Sequence, residues 1–158
     1  MNTKKLYQTR FSDRIQQRYD LWAVLIKCFF QKFFNKNDTV LDLGCGYGEF
    51  ISQINCRKKY AVDLNPDSKK YLNKEVIFYR QSSTKMNLVK SNSIDKIFVS
   101  NFFEHLERED IALTINECRR ILKKGGKILI LQPNIRFLAK DFWRFFDHIT
   151  PIDDRAME

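Results

Sequence analysis

Glycine, proline and histidine are all scarce in this sequence. Its 158 residues include 5 glycines, 3 prolines and 2 histidines. With so few chain breakers, most of the chain is free to form regular elements, and each glycine needs a local reason. Paired cysteines are also lacking. Cys28, Cys45, Cys56 and Cys118 form no CxxC, and no histidine lies at metal-ligand spacing from them. No metal is therefore expected, and the thiols are expected to be free and mostly buried. No apolar run reaches the roughly 20 residues of a membrane-spanning helix. The opening MNTKKLYQTRF has no apolar stretch of a secretory leader, which leaves the cytoplasm as the expected location. Repeats, low-complexity tracts and internal linkers are missing too.

What remains is a globular composition, 44% hydrophobic and 30% charged, with 14 phenylalanines. That is enough for one domain with a sizeable core. Three of the 5 glycines fall in VLDLGCGYGEF, at 40–50. Five strand-like runs follow one another: TVLDL, KKYAVDL, EVIFYR, SIDKIFVS and GKILILQ. Helical patterns separate or flank them. From Asp13 onward, Ile15, Tyr19, Trp22, Leu25, Ile26, Phe29 and Phe33 fit one helix face, capped by Ser12 or Asp13. A helical stretch is expected at 47–55, and a short helix opens at Asn65-Pro66-Asp67. A longer one is expected at 108–123 with Ile111, Ile115, Cys118 and Leu122 inward, ended by Gly125 and Gly126. A last helix is expected at 135–146. Strands alternating with helices imply an α/β fold with a parallel sheet covered on both faces.

In such a sheet, ligands bind at the C-terminal strand ends. Gly44 and Gly46 allow a tight turn and close approach to the backbone; Gly48 lets the next helix pack close. The start of that helix is expected to offer N–H groups to a carboxylate or phosphate. A dinucleotide fingerprint, GxGxxG, would need glycine where Glu49 stands. Instead an acid, Asp42, ends the preceding strand, where it can hold a ligand's ammonium. Asp63 ends the second strand, placed to accept both hydroxyls of a ribose. A nucleoside bearing an amino acid, S-adenosylmethionine, fits this pattern.

The chain resembles the class I S-adenosylmethionine-dependent methyltransferases. VLDLGCGYGEF, AVDLNPD, SNSIDKIFVSNFFEHL and ECRRILKKGGKILILQPN match that superfamily in order and spacing over about residues 38–134. SNFFEHL followed by QPNIRF and FWRFFDHITP resembles a bacterial group of small-molecule-type methyltransferases. The resemblance implies a Rossmann-like doubly wound, mostly parallel sheet of about five strands in the order 3-2-1-4-5, with flanking helices. It implies contacts from Asp42, Gly44, Cys45 and Gly46 to the methionine end of the cofactor, from Asp63 to its ribose and from Leu64 to its adenine. Relatives often carry an aspartate where this chain has Ser82-Ser83-Thr84; Ser83 is the candidate there for the adenine amino group. Asn101 is expected to face the sulfonium and the substrate. Residues 1–34 are expected to form an arm and helix covering the cofactor site, with Arg10 a candidate partner for the methionine carboxylate, and 35–158 the binding domain. The superfamily's C-terminal antiparallel hairpin is expected to be missing, because little sequence follows GKILILQ. The chain then reads as a fragment or a natural short form, and that strand as an exposed edge through which a homodimer could form.

His105 and His148 are the candidate bases, each also readable as a packed or pocket-wall residue; Glu104 and Asp147 stand beside them. Phe137, Phe142, Trp143, Phe145 and Phe146 could wall an acceptor pocket, with core packing the expected use of most of them. Net charge is +9. Of its 28 lysines and arginines, nine gather at the starts of strands, at Lys36, Arg57-Lys58-Lys59, Lys74, Lys90, Lys123-Lys124 and Lys127. That is the edge opposite the predicted site, which argues against a nucleic-acid substrate. The reading is a methyltransferase that acts on a small-molecule oxygen or nitrogen by in-line transfer. A non-catalytic cofactor-binding module completed by a partner is the second reading, and a nucleic-acid methylase the third.

Overall fold

A computed structural model describes residues 15–157 of the chain. The expected arm residue Arg10, and the caps Ser12 and Asp13, lie outside the described residues. Five strands, β1 (Thr39–Leu43), β2 (Lys58–Asp63), β3 (Val76–Arg80), β4 (Ile94–Ser100) and β5 (Leu122–Leu131), form one sheet. Their order is β3-β2-β1-β4-β5, and every neighbouring pair is parallel. This is the expected Rossmann-like order, flanked by helices. The central strand β1 is buried along its whole length, as a strand covered on both faces must be. Its side chains alternate between two core layers: Val40 enters one, and Leu41 and Leu43 the other.

The first layer is aromatic. Helix α1 (Ile15–Leu25) and the turns after it set Trp22, Ile26, Phe30 and Phe34 against Phe50 and Phe98. Phe50 and Phe98 stack with centroids 3.8 Å apart, and Phe30 meets Phe98 edge-on at 5.3 Å. Each buried ring contributes about 1.5–3 kcal/mol. The expected face was out of phase in its second half. Ile26–Phe30 forms a π-helical turn, which takes more residues per turn than an α-helix and carries the buried face one position along. Phe30 and Phe34 are therefore buried while Phe29 and Phe33 are exposed.

The second layer lies under helix α2 (Arg108–Ile121), whose Cys118 and Ile121 pack on Ile97, Val99, Met86 and Val89. The helix stops two residues early, and Gly125-Gly126 lie within β5 rather than ending the helix. Ile94 pairs with Leu122 and Lys96 with Lys127, so the extra β5 residues bulge out. Gly125 has φ +79° within that bulge.

Two further elements differ from expectation. Residues 47–55 form consecutive turns, held by Ser52 N–H to Gly48 O and Ile54 N–H to Phe50 O, instead of a regular helix. Gly48, at φ +73°, starts the segment outside helical geometry. Helix α3 (Ile135–Phe142) is capped by Asn134, whose side chain accepts from Arg136 N–H, but it kinks at Leu138 and ends before Trp143, short of the expected 146. So short an element presents little surface to the core. Phe142 is buried, whereas Phe137, Trp143, Phe145 and Phe146 are exposed, so most of this aromatic run is not core. Pro66–Lys70 forms the expected short turn of helix, with Asn65 Oδ1 accepting from Asp67 N–H.

Candidate functional site

The glycine loop leaves β1 at the C-terminal edge of the sheet. Gly44, Gly46 and Gly48 all adopt left-handed backbone, at φ +69°, +54° and +73°. Side chains are strained there, which accounts for three of the chain's few glycines. Gly44 also has a close neighbour: a Cβ on it would come within 2.4 Å of the Phe102 ring. Most of the loop's N–H groups tie it down. Gly44 and Cys45 donate to Val62 O, Gly46 donates to Asp63 Oδ2 at 2.8 Å, and Gly48 donates to Cys45 O. The expected helix start with open N–H groups does not form here.

Acids gather around this loop. Asp42, at the end of β1, is 3% exposed, and Glu49 and Asp63 are buried close by. Burial first, then the neighbouring Glu49 and Asp63 charges, push the Asp42 carboxyl well above its ordinary range. Burial also raises Asp63, against the pull of the N–H groups of Asn65, Gly46 and Leu64. Asn65 N–H reaches the second Asp63 oxygen at 2.8 Å. The Asp63 carboxylate keeps acceptor capacity for a further donor. Glu49 accepts from Arg18 Nε of α1 at 2.7 Å, so this helix is latched to the loop.

The other expected contacts fall as follows. Leu64 is 60% exposed beside Asp63. Cys45 is buried, and burial with the nearby Asp42 raises its thiol well above the usual range, so it is no nucleophile. Ser83 is turned inward, its hydroxyl 2.8 Å from Thr114 Oγ1 of α2. Asn101 follows β4 with left-handed backbone at φ +47°, its N–H donating to Leu131 O. His105 and His148 come together, ring centroids 5.0 Å apart, beside the fully buried Glu104. Arg10 lies outside the described residues. Sequence reasoning missed Arg18 and Glu49 as partners, and Phe102 as the ring against Gly44. Arg18 and Glu49 are 31 positions apart and meet only through the fold.

The donor set provides a test of the cofactor. A pyrophosphate would meet three acids at this loop and be repelled. An ammonium and a pair of hydroxyls would be received. The residues present therefore fit S-adenosylmethionine better than a dinucleotide. At the opposite edge, Arg57, Lys58, Lys90 and Lys123 line a depression of about 350 Å³ with Tyr60 and Tyr79, so these positive charges lie away from the loop. Among the described residues no helix is long and apolar enough to cross a membrane.

Sheet order, left-handed glycine loop and acid-ended strands together define a class I methyltransferase fold. A family model described as a methyltransferase domain matches residues 41–130, and the chain belongs to that family. The uncharacterized protein MJ0638 of Methanocaldococcus jannaschii is 31% identical over 121 residues, covering 73% of this chain and 50% of the relative. The chain thus spans about half the length of this curated relative. Among solved structures, a SAM-dependent methyltransferase from Archaeoglobus fulgidus superposes with TM-score 0.76 at 22% identity, covering 93% of this chain and 69% of the other. A possible histamine N-methyltransferase from Thermotoga maritima does so with TM-score 0.70 at 16% identity, covering 96% and 75%. These likenesses are of fold.

Proposed function

We propose that this chain binds S-adenosylmethionine at the glycine loop and serves methyl transfer to an oxygen or nitrogen of a small-molecule acceptor. The observation that carries this is the trio of buried acids, Asp42, Glu49 and Asp63, around three left-handed glycines. When bound, the cofactor supplies an activated methyl group on a sulfonium. The chain's own residues bind, align and exclude water. Asp42 holds the ammonium, Asp63 accepts from the ribose hydroxyls, and exposed Leu64 gives the adenine an apolar ledge. Arg18 pairs with Glu49 and offsets part of the repulsion among the loop acids. Helix α1, latched to the loop through Arg18 and Glu49, flanks the site. Ser83 shares a hydrogen bond with Thr114 and keeps a further lone pair that accepts from the adenine amino group. A small acceptor is favoured over nucleic acid because the lysine- and arginine-lined depression lies at the far edge.

A second reading rests on the edge strand of the sheet. Ile130 and Leu131 of β5, with Phe137, Trp143 and Phe146 nearby in the chain, are exposed apolar groups. They suit a module whose acceptor pocket is completed by a partner or a second copy. Calorimetric titration with S-adenosylhomocysteine tests the cofactor. Wild type should bind, and Asp63→Ala should bind at least about tenfold more weakly, the loss of one or more charge-assisted hydrogen bonds. A folded wild-type chain that does not bind would sink the reading. Methyl consumption with added acceptors then separates an enzyme from a binding module.

A further inference from the structure

We propose that Glu104, His105 and His148 form a binding site for a divalent transition-metal ion, held by one carboxylate and two imidazoles. Their ligand atoms all lie within 4.8 Å of one another. Ions such as Zn²⁺, Co²⁺ and Fe²⁺ accept this mixed set.

The polarity of the cluster points to a cation. Glu104 is 0% exposed. Its Oε2 accepts from Gln132 Nε2 at 2.7 Å, while its Oε1 has no hydrogen-bond partner. A buried carboxylate oxygen without a donor is costly and calls for an explanation. His105 sharpens the point. Its Nδ1 lies 2.9 Å from Asp147 O, and a carbonyl can only accept, so Nδ1 carries the proton. In the neutral ring, Nε2 then presents a lone pair 3.9 Å from Glu104 Oε1. That separation is too long for a hydrogen bond. Two lone pairs facing each other at this separation are relieved by a cation between them, and a metal ion can fill that role. The outer contacts resemble those that orient metal ligands: a carbonyl behind His105 and an amide behind Glu104.

The backbone preorganises the cluster. Ile149 N–H and Thr150 N–H both donate to Glu104 O, at 2.9 and 3.2 Å, and Thr150 Oγ1 donates to Leu106 O. The segment carrying His148 is thus strapped to the loop carrying Glu104 and His105. The His148 ring stacks on Phe145 and lies against Phe142, which limits its swing. No CxxC or His-x-His spacing marks the site; the fold assembles it. Because Glu104 and His105 follow β4, and His148 follows β5, an ion here would sit on the ligand-binding edge, where an acceptor approaches. An open coordination position would suit an acceptor oxygen, a consequence that rests on the methyl-transfer reading, whereas the metal site does not.

Co²⁺ titration of the full chain, after chelator treatment and without cofactor, tests the site. Its visible spectrum distinguishes nitrogen and oxygen ligands from the four free thiols. We expect d–d bands without a thiolate charge-transfer band. Affinity should fall at least about tenfold in Glu104→Gln and in His148→Gln and stay unchanged in Cys28→Ser. Circular dichroism would establish that each variant is folded; His148 is half-buried and its variant is the safer of the two. Absence of Co²⁺ uptake by the folded wild type would overturn the proposal, as would uptake unchanged in His148→Gln or a spectrum dominated by thiolate. Because no S-adenosyl ligand is present, these outcomes are separate from failure of the cofactor reading.

Discussion

At the C-terminal end of the sheet, burial raises the carboxyls of Asp42 and Asp63, and like charges raise Asp42 further. At the N-terminal end, Asp95 also loses solvent, but the Lys123 ammonium and the Thr39 N–H outweigh that loss and hold it below its ordinary range. Glu117, near the end of α2, is held low by Arg120, which also ties Met86 O and Val89 O. One end thus concentrates acids that the fold leaves only partly compensated. The other pairs its acids with cations that fasten loops to the sheet. Uncompensated polarity at strand ends marks a place where something else must bind, and compensated polarity marks scaffolding.

The glycines allow the sharpest test of this contrast, with the largest expected effect. Gly44 and Gly125 share left-handed backbone, at φ +69° and +79°. An alanine at Gly44 meets the Phe102 ring, whereas at Gly125 nothing lies within 4 Å. Gly125→Ala should cost only the backbone strain, about 1–2 kcal/mol. Gly44→Ala adds overpacking of about 1–3 kcal/mol and should abolish S-adenosylhomocysteine binding. Urea denaturation and calorimetry read both. Equal destabilisation, with binding retained in Gly44→Ala, would remove the distinction between the two ends.

Four of the five strands were legible nearly residue by residue, because each is an apolar run bounded by polar residues; β5 starts at Leu122, four residues before the expected GKILILQ. Asp42 and Asp63 were legible too, because a glycine loop and strand ends fix their positions. What escaped had no local signal. The π-helical turn at Ile26–Phe30 shifts a helical face by one residue, which periodicity alone does not reveal. Gly125-Gly126 reads as a helix stop, yet forms a bulge, since both uses ask for the same backbone freedom. The latch from Arg18 to Glu49 and the grouping of Glu104, His105 and His148 depend on chain segments far apart in sequence.

A smaller effect is expected from neutralising the scaffold. Asp95 accepts from Thr39 N–H and from Lys123, and both bonds measure 2.8 Å. Asp95→Asn should weaken them and destabilise the chain by about 1 kcal/mol. Affinity for S-adenosylhomocysteine should not change, because this edge is remote from the loop. A fall in affinity matching that of Asp63→Ala would show that the two ends are coupled.

The smallest effect, and the one that opposes the two ends in sign, is in the pH dependence of stability. Asp42 has a folded-state pKa above its ordinary value of 3.8. The folded chain therefore binds its proton more tightly than the unfolded chain, and stability from this group is lost as pH rises from about 3.8 through the raised value. Asp95 has a folded-state pKa below 3.8. Its contribution is present above that value and is lost as pH falls through the lowered one. Asp42→Asn should accordingly raise Tm at neutral pH, with a gain that shrinks toward zero as pH approaches 3.8. Asp95→Asn should lower Tm at neutral pH, with a loss that shrinks only at more acidic pH. Thermal melts of both variants between neutral and acidic pH provide the check. Two changes of the same sign at neutral pH would mean that Asp42 is compensated in the folded chain by a partner, as Asp95 is, and the buried-acid argument for the binding site would lose its basis.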